Sequence, residues 1–327
     1  MKNYLMLVGV CAVLCSCSTG DSAMSRILGG SSQAVTFLSL RTVSADEVEF
    51  VFSRPVTVKS VSFIPEIPVA SAEGGERVLV KFGQIPEGGK LITADLVAED
   101  EKKNTINVLV TFRARNNRMP QLVINELCTE YANAAAGKKS EFIEFKMLSA
   151  GNLGAMRVVI IGNSTASRET IYEFAPVEVK KDDYVVLHLR TFDPQSKDEL
   201  GSSLSESGGI NSSENARDFW VPGETKLIHK TSFVYVMDQD DKILAAVMLR
   251  ENPGSPWPKD YFPEKADYLL LNGAWIGEAV PSSGTTNTRT ICRDETLENS
   301  KTNADWYITA TSSATPGGAN NPKRYSN

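Results

Sequence analysis

A chain of 327 residues is long enough for two domains with full cores, and 42% hydrophobic with 23% charged residues is a globular composition, not a disordered one. The formal charge of −6 and pI near 5.2 argue against a nucleic-acid partner, because neutralising phosphates needs clustered Lys and Arg. No apolar run of 18 residues occurs in the body of the chain, so no internal transmembrane helix is expected.

The N-terminus has its own pattern. Lys2 precedes the apolar run YLMLVGVCAVL at 4–14, which has the length of a secretory h-region. The run ends in Leu14-Cys15-Ser16-Cys17, which resembles a bacterial lipobox: Leu stands three residues before a Cys, and a small residue directly before it. A thiol is required at Cys17 because only a thiolate forms the thioether to lipid. The resemblance implies a signal peptide over 1–16 and a lipidated, membrane-attached Cys17, and loss of Lys2 takes the formal charge from −6 to −7. Buried acyl chains at about 0.8 kcal/mol per CH₂ make such an attachment permanent. An ordinary signal peptide with an incidental Cys and an uncleaved anchor are the rival readings. Residues 17–35, rich in Ser and Gly, read as a flexible tether. The implied location is the cell envelope, outside the cytoplasm, at the outer membrane, periplasm or surface in preference to the inner membrane. With Cys11 and Cys15 in the signal, the remaining thiols are Cys128 and Cys292, which either pair as a disulfide or sit apart as small buried hydrophobes.

From 36 to 117 the pattern is β throughout. Strands are expected at 36–41, 47–52, 56–63, 78–82, 90–98 and 105–113, with turns at Glu73-Gly74-Gly75 and Pro86-Glu87-Gly88-Gly89. Alternation is clearest for Ile106, Val108, Val110 and Phe112. Six short strands in this length suit a β-sandwich. The run from Val48 to Val56 resembles the start of bacterial immunoglobulin-like modules. The basic stretch 113–120, ending in Pro120, marks a domain boundary.

The second domain opens on a hairpin, with strands at 122–127 and 141–145 that carry Glu126, Glu141 and Glu144 among apolar residues. Further strands are expected at 157–162 and 184–192, a hairpin joins 226–237 to 242–249, and last strands lie near 289–292 and 306–310. Residues 193–218, polar and rich in Ser and Gly, read as a mobile surface insertion. Residues 250–263 hold four prolines and three aromatics and are expected to be irregular, with one short helix following over 264–274.

The order Ile124-Asn125-Glu126, Glu141-Phe142-Ile143-Glu144-Phe145, Val158–Ile161, then Asp305-Trp306 and Thr315-Pro316-Gly317-Gly318-Ala319-Asn320 resembles the lamin-tail domain of bacterial extracellular proteins, over about 121–320. What the resemblance implies is an immunoglobulin-like sandwich used for interaction or anchoring, in which Asn125, Glu126, Glu141, Glu144, Trp306, Pro316, Gly317 and Asn320 are structural landmarks. The expected fold is therefore all-β, two immunoglobulin-like β-sandwich domains in tandem after a lipidated tether, with a short tail at 321–327.

Catalytic constellations are missing from the sequence. Only His188 and His229 occur, and no HExxH, CxxC or G-x-S-x-G accompanies them. Gly83, Gly88 and Gly89 before Lys90 lack the spacing and the Ser or Thr of a phosphate loop, and read as a turn. Asp238, Asp240 and Asp241 have the flavour of a calcium loop, but lack its Gly and Glu and also read as a solvated hairpin tip. Glu126, Glu141 and Glu144 are readable as a cross-strand acid cluster or as hydrogen-bonded structure. Trp257, Tyr261 and Phe262 are the candidate partner-binding residues, the rival reading being that they cap the sandwich. The expected role is non-enzymatic binding or scaffolding of a protein or glycan partner, with no cofactor or metal and no nucleic acid. The alternative is a hydrolase, or an accessory subunit of one, acting on phosphodiesters or glycosides.

Overall fold

The computed structural model describes residues 34–134, 137–192, 194–297 and 300–326, and divides after Asn117 into two compact units. Residues 1–33, on which the expected signal peptide, Cys17 and most of the expected tether fall, and Asp193 lie outside the described residues.

The first unit is a single six-stranded sheet: β1 (Phe37–Ser44), β2 (Glu47–Ile64), β3 (Val69–Glu73), β4 (Gly75–Phe82), β5 (Leu91–Asp100) and β6 (Thr105–Arg113). The order is β3-β4-β2-β5-β6, with β1 also on β2. The two strands expected at 47–52 and 56–63 are one continuous strand. Its first half pairs with β1 and β4 and its second half with β5, and the register with β4 breaks between Val51 and Val56. Pro55, which has no N–H to give a ladder, falls in that break. The sheet thus bends over its own core, and β1 comes back against β6. The alternation in β6 is realised: Ile106, Val108, Val110 and Phe112 all face inward. Val35, expected in the tether, is buried in this core.

The second unit is a sandwich of two sheets. Its elements are β7 (Leu122–Cys128), β8 (Ala132–Ala134), β9 (Gly137–Lys139), β10 (Phe142–Met147), β11 (Gly151–Asn152), β12 (Arg157–Ile161), β13 (Thr170–Glu173), β14 (Glu178–Val179), β15 (Tyr184–His188), β16 (Ala216–Trp220), β17 (Ser232–Met237), β18 (Ile243–Arg250), α1 (Tyr261–Leu271), β19 (Val280–Pro281), β20 (Ile291–Arg293) and β21 (Trp306–Ile308). One sheet has the order β16-β15-β10-β7-β20-β21 and the other β13-β12-β17-β18-β19. Between them pack Ile124, Ile143, Phe145, Phe174, Phe219, Phe233 and Trp275. Removing any one of these large buried rings is expected to cost about 3–5 kcal/mol.

The first of these sheets is covered on both faces, which explains why β7, β10, β15 and β16 are buried almost without alternation. The segment 194–213 and the closing loop around Pro316 lie over its outer face. The insertion is therefore not a loose loop, as expected from its composition. It ends in β16, which pairs in parallel with β15. It is anchored by Glu199, whose buried carboxylate accepts from the backbone N–H groups of Glu206, Ser207 and Asp218 at 2.9–3.1 Å. Likewise the Pro- and aromatic-rich stretch is partly regular, since α1 begins at Tyr261 with Pro263 in its first turn, where a missing N–H costs nothing.

Candidate functional site

The three glutamates of the opening hairpin go to two places. Glu126 on β7 and Glu144 on β10 are cross-strand partners on the outer face of the sheet, and both are wholly buried. A bulge between them puts one extra residue, Asn125, on the same face. Asn125 Nδ2 donates to Glu144 Oε1 at 2.9 Å, and Gly317 N–H donates to Glu144 Oε2 at 2.6 Å. Glu126 accepts from the Thr290 hydroxyl and from Thr315, through its N–H at 3.0 Å and its hydroxyl at 3.2 Å. Asn320 closes the loop by donating to the carbonyls of Asn125 and Arg293, at 3.0 and 2.9 Å. Pro316 sits between the two donating N–H groups and has none of its own. Burial pushes the Glu144 carboxyl up to about 8, with the negative charge of Glu126 adding to it, and burial likewise raises Glu126. Every oxygen of the pair is engaged by the protein, so this network is a latch between the sheet and the closing loop.

Trp306, the remaining closing landmark, is buried on β21 and donates through Nε1 to the Ser300 carbonyl at 3.1 Å. The two cysteines share the polar face with the latch and are both free. Cys292 is in register with Glu126, two residues from Cys128, so the thiols are diagonal neighbours. Such neighbours stand about 7–8 Å apart, beyond the roughly 4.4–6.8 Å a disulfide spans. The disulfide reading is thereby corrected. Of the two readings of Trp257, Tyr261 and Phe262, capping holds for Tyr261 and Phe262, so partner binding is corrected for these two. Phe262 is wholly buried, the Tyr261 hydroxyl donates to the Gly162 carbonyl at 2.6 Å, and Trp257, half-buried, stacks on Phe262 at 5.6 Å under the Arg250 guanidinium. The acidic hairpin tip satisfies itself, with Asp238 Oδ1 accepting from the N–H groups of Asp240 and Lys242. His188 is buried against Trp220, 3.8 Å between ring centroids, and its Nε2 meets Asp218 Oδ1 at 2.8 Å.

Glu141 leads elsewhere. Its Oε1 accepts from Arg190 Nη2 at 2.5 Å, and Arg190 Nη1 reaches the Glu224 carbonyl at 3.2 Å. Burial raises the Glu141 carboxyl, and the Arg190 guanidinium opposes that rise. The ring of Tyr131, 42% exposed, lies on that guanidinium at 4.5 Å.

Tyr131 lines a cleft of about 590 Å³ at one end of the sandwich. Four loops build it: the turn after β7 (Glu130, Tyr131), the turn after β12 (Asn163), the approach to β17 (Lys226, His229, Lys230, Thr231), and the loop at Thr285, Thr286 and Asn287, with Glu251 at the rim. Lys226 pairs with Glu130 at 2.8 Å, and Lys230 lies 3.8 Å from Glu251. The Asn163 N–H donates to His229 Nδ1 at 3.3 Å, which leaves Nε2 to carry the proton of the neutral ring. Burial, reinforced by Lys226, pushes His229 down to about 4, so it is neutral at physiological pH. Asn163 Oδ1 is buried in this wall with no hydrogen-bond partner. The arrangement offers a fixed aromatic face, a donor and two charge pairs that cancel.

The sequence around this cleft reads as regular strand. Residues 226–231 read as the start of a strand, whereas they form a loop and β17 begins only at Ser232. The usable signal was a His flanked by Lys226 and Lys230 on the approach to an apolar strand.

The chain matches the family described as the TP_1001 protein second domain over residues 120–308. An uncharacterised protein of Treponema pallidum (strain Nichols) is 32% identical over 209 residues, 60% of this chain. The match spans 50% of that relative's length. Among solved structures, a DUF4876 family protein from Bacteroides thetaiotaomicron VPI-5482 aligns over 76% of this chain and 90% of its own, at 13% identity and a TM-score of 0.35.

Proposed function

The chain belongs to the family of the TP_1001 protein second domain, and for it we propose a non-enzymatic binding role at the bacterial cell envelope, exercised through the cleft around His229. In this reading Cys17 carries the lipid, the chain is held outside the cytoplasm, and the second unit is a lamin-tail-like module that takes a protein or glycan partner. The observation that carries it is the cleft itself: a polar recess of about 590 Å³ walled by paired charges and a neutral His. Among the described residues its His pairs with no carboxylate, which favours recognition over turnover. The lamin-tail likeness is supported by the way Asn125, Glu126, Glu144, Gly317 and Asn320, far apart in sequence, meet in one network.

Titration calorimetry of the purified chain against peptides and oligosaccharides tests the role. Saturable binding that His229→Ala and Lys226→Ala weaken is expected. Sustained hydrolysis of a phosphodiester or glycoside would overturn it. The anchor has its own test: Cys17→Ser is expected to leave uncleaved precursor and to abolish incorporation of labelled fatty acid, and normal acylation of that variant would refute the site.

A further inference from the structure

We propose that the ligand of the cleft is an uncharged or N-acetylated sugar ring, stacked on Tyr131 and hydrogen-bonded by His229. This rests on the binding role proposed above and names its ligand class. Large aromatics are usually buried or capped, yet Tyr131 stands 42% exposed at the cleft. One face of its ring is backed by the Arg190 guanidinium at 4.5 Å, and that guanidinium is itself pinned by Glu141. The ring is therefore held in one orientation before any ligand arrives, which lowers the cost of using it as a platform. A pyranose presents an apolar C–H face beside a rim of hydroxyls, and this wall has the matching pair of surfaces.

The polar side of the match is His229, whose Nε2–H is a donor because the Asn163 N–H occupies Nδ1. Thr231, Thr286 and Asn287 line the same cleft. A fixed donor among hydroxyl and amide side chains suits vicinal hydroxyls or an acetamido group, each of which gives and takes a hydrogen bond. Charge narrows the class further. The cations lining the cleft, Lys226 and Lys230, are each set against a carboxylate, Glu130 and Glu251. With no free excess of either sign, a phosphate or polyuronate ligand would have to break one of these pairs.

The test uses the full chain and two probes, an N-acetylglucosamine trimer and maltotriose, with a trigalacturonate and a tripeptide as comparisons. Saturation-transfer NMR is expected to show binding of at least one neutral probe, with ring C–H protons receiving most of the transfer. Tyr131→Ala is expected to weaken it about tenfold or more, and Tyr131→Phe to retain most of it. Because Tyr131 is half exposed, the thermal midpoint of each variant serves as the folding control. Equal saccharide affinity in wild type and Tyr131→Ala, or no binding of either neutral probe, overturns the sugar assignment. Binding of the tripeptide alone, lost in His229→Ala, would sink the sugar and keep the binding module. Hydrolysis of any probe would sink the module itself.

Discussion

Glu126 and Glu144 face each other across β7 and β10 with no exposed surface, and each is held by a backbone N–H of the same closing loop, from Thr315 and Gly317 respectively. Two carboxylates so placed cannot both ionise cheaply, because each desolvates and repels the other. The loop that brings those donors lies about 170–190 residues further along the chain, so the pair reports whether that loop has docked.

The pH dependence of stability follows with a definite sign. Glu144 has a folded value of about 8 against an ordinary 4.5, so the folded chain binds the extra proton between those limits. Its contribution is fully present below about 4.5 and is lost as pH rises through about 8. The thermal midpoint is expected to fall by several degrees between pH 6.5 and 8.5, and Glu144→Gln to flatten that slope whatever it does to the absolute midpoint. Identical slopes in the two proteins would refute the protonated pair.

Gly317 is where the closing loop meets the insertion. Its φ is +81°, and a Cβ there would collide with Ser213 Oγ and stand 2.7 Å from Ser213 Cβ. Gly317→Ala is expected to cost at least about 1–3 kcal/mol from backbone strain alone. Adding Ser213→Gly removes the collision and leaves the strain, so the double variant should recover part of the loss in denaturant unfolding. No recovery would mean the loop had simply moved aside.

How far these features were legible from sequence depended on how many faces of a strand are covered. In the first unit one face of β6 meets water, and Ile106 to Phe112 alternate as a strand should. The outer face of the β7–β10–β15–β16 sheet is buried under other segments. Its pattern therefore runs together, and the partners of Glu126 and Glu144 lie about 170–190 residues away. The landmarks of the family resemblance located those residues without saying that they touch. Flanking prolines left Trp257, Tyr261 and Phe262 readable either as an exposed platform or as a cap, and the cap holds for Tyr261 and Phe262 because Pro263 sits in a helical first turn where it does no harm. The cleft was the least legible feature, since four loops distant in sequence supply its walls.

The buried Arg190–Glu141 pair makes a different prediction. Arg190→Met leaves the buried Glu141 carboxyl without its partner, and such losses cost about 3–5 kcal/mol. Changing both residues, Arg190→Met with Glu141→Met, removes the stranded polar group and is expected to be less destabilising than Arg190→Met alone. A double-mutant cycle by chemical unfolding measures the coupling, and strict additivity would contradict the observed 2.5 Å contact.

Cys128 and Cys292 are expected to resist alkylation in the folded chain. Burial pushes the Cys128 thiol up to about 12 and raises Cys292 as well, so almost no thiolate is present at neutral pH. Both should react with iodoacetamide on denaturation without reductant, as read by peptide mass. A residue pair recovered as a disulfide would reverse the placement of β7 against β20.

His229 supplies the opposite limb of the pH profile. Its folded value of about 4 lies below the ordinary 6.5, so between those limits the unfolded chain takes up a proton that the folded chain refuses. Stability is therefore lost as pH falls from about 6.5 to 4, where Glu144 still works in the other direction. The two effects oppose each other in that window and only Glu144 acts above it, which is why the Glu144 slope is read from 6.5 upward. His229→Gln is expected to raise the midpoint at pH 4.5 relative to wild type more than it does at pH 7. The chain holds only two histidines, so ring-proton NMR can follow each directly. A His229 titration midpoint near 4 is expected, and one near 6.5 would place that ring in open water and take away the fixed donor on which recognition in the cleft depends.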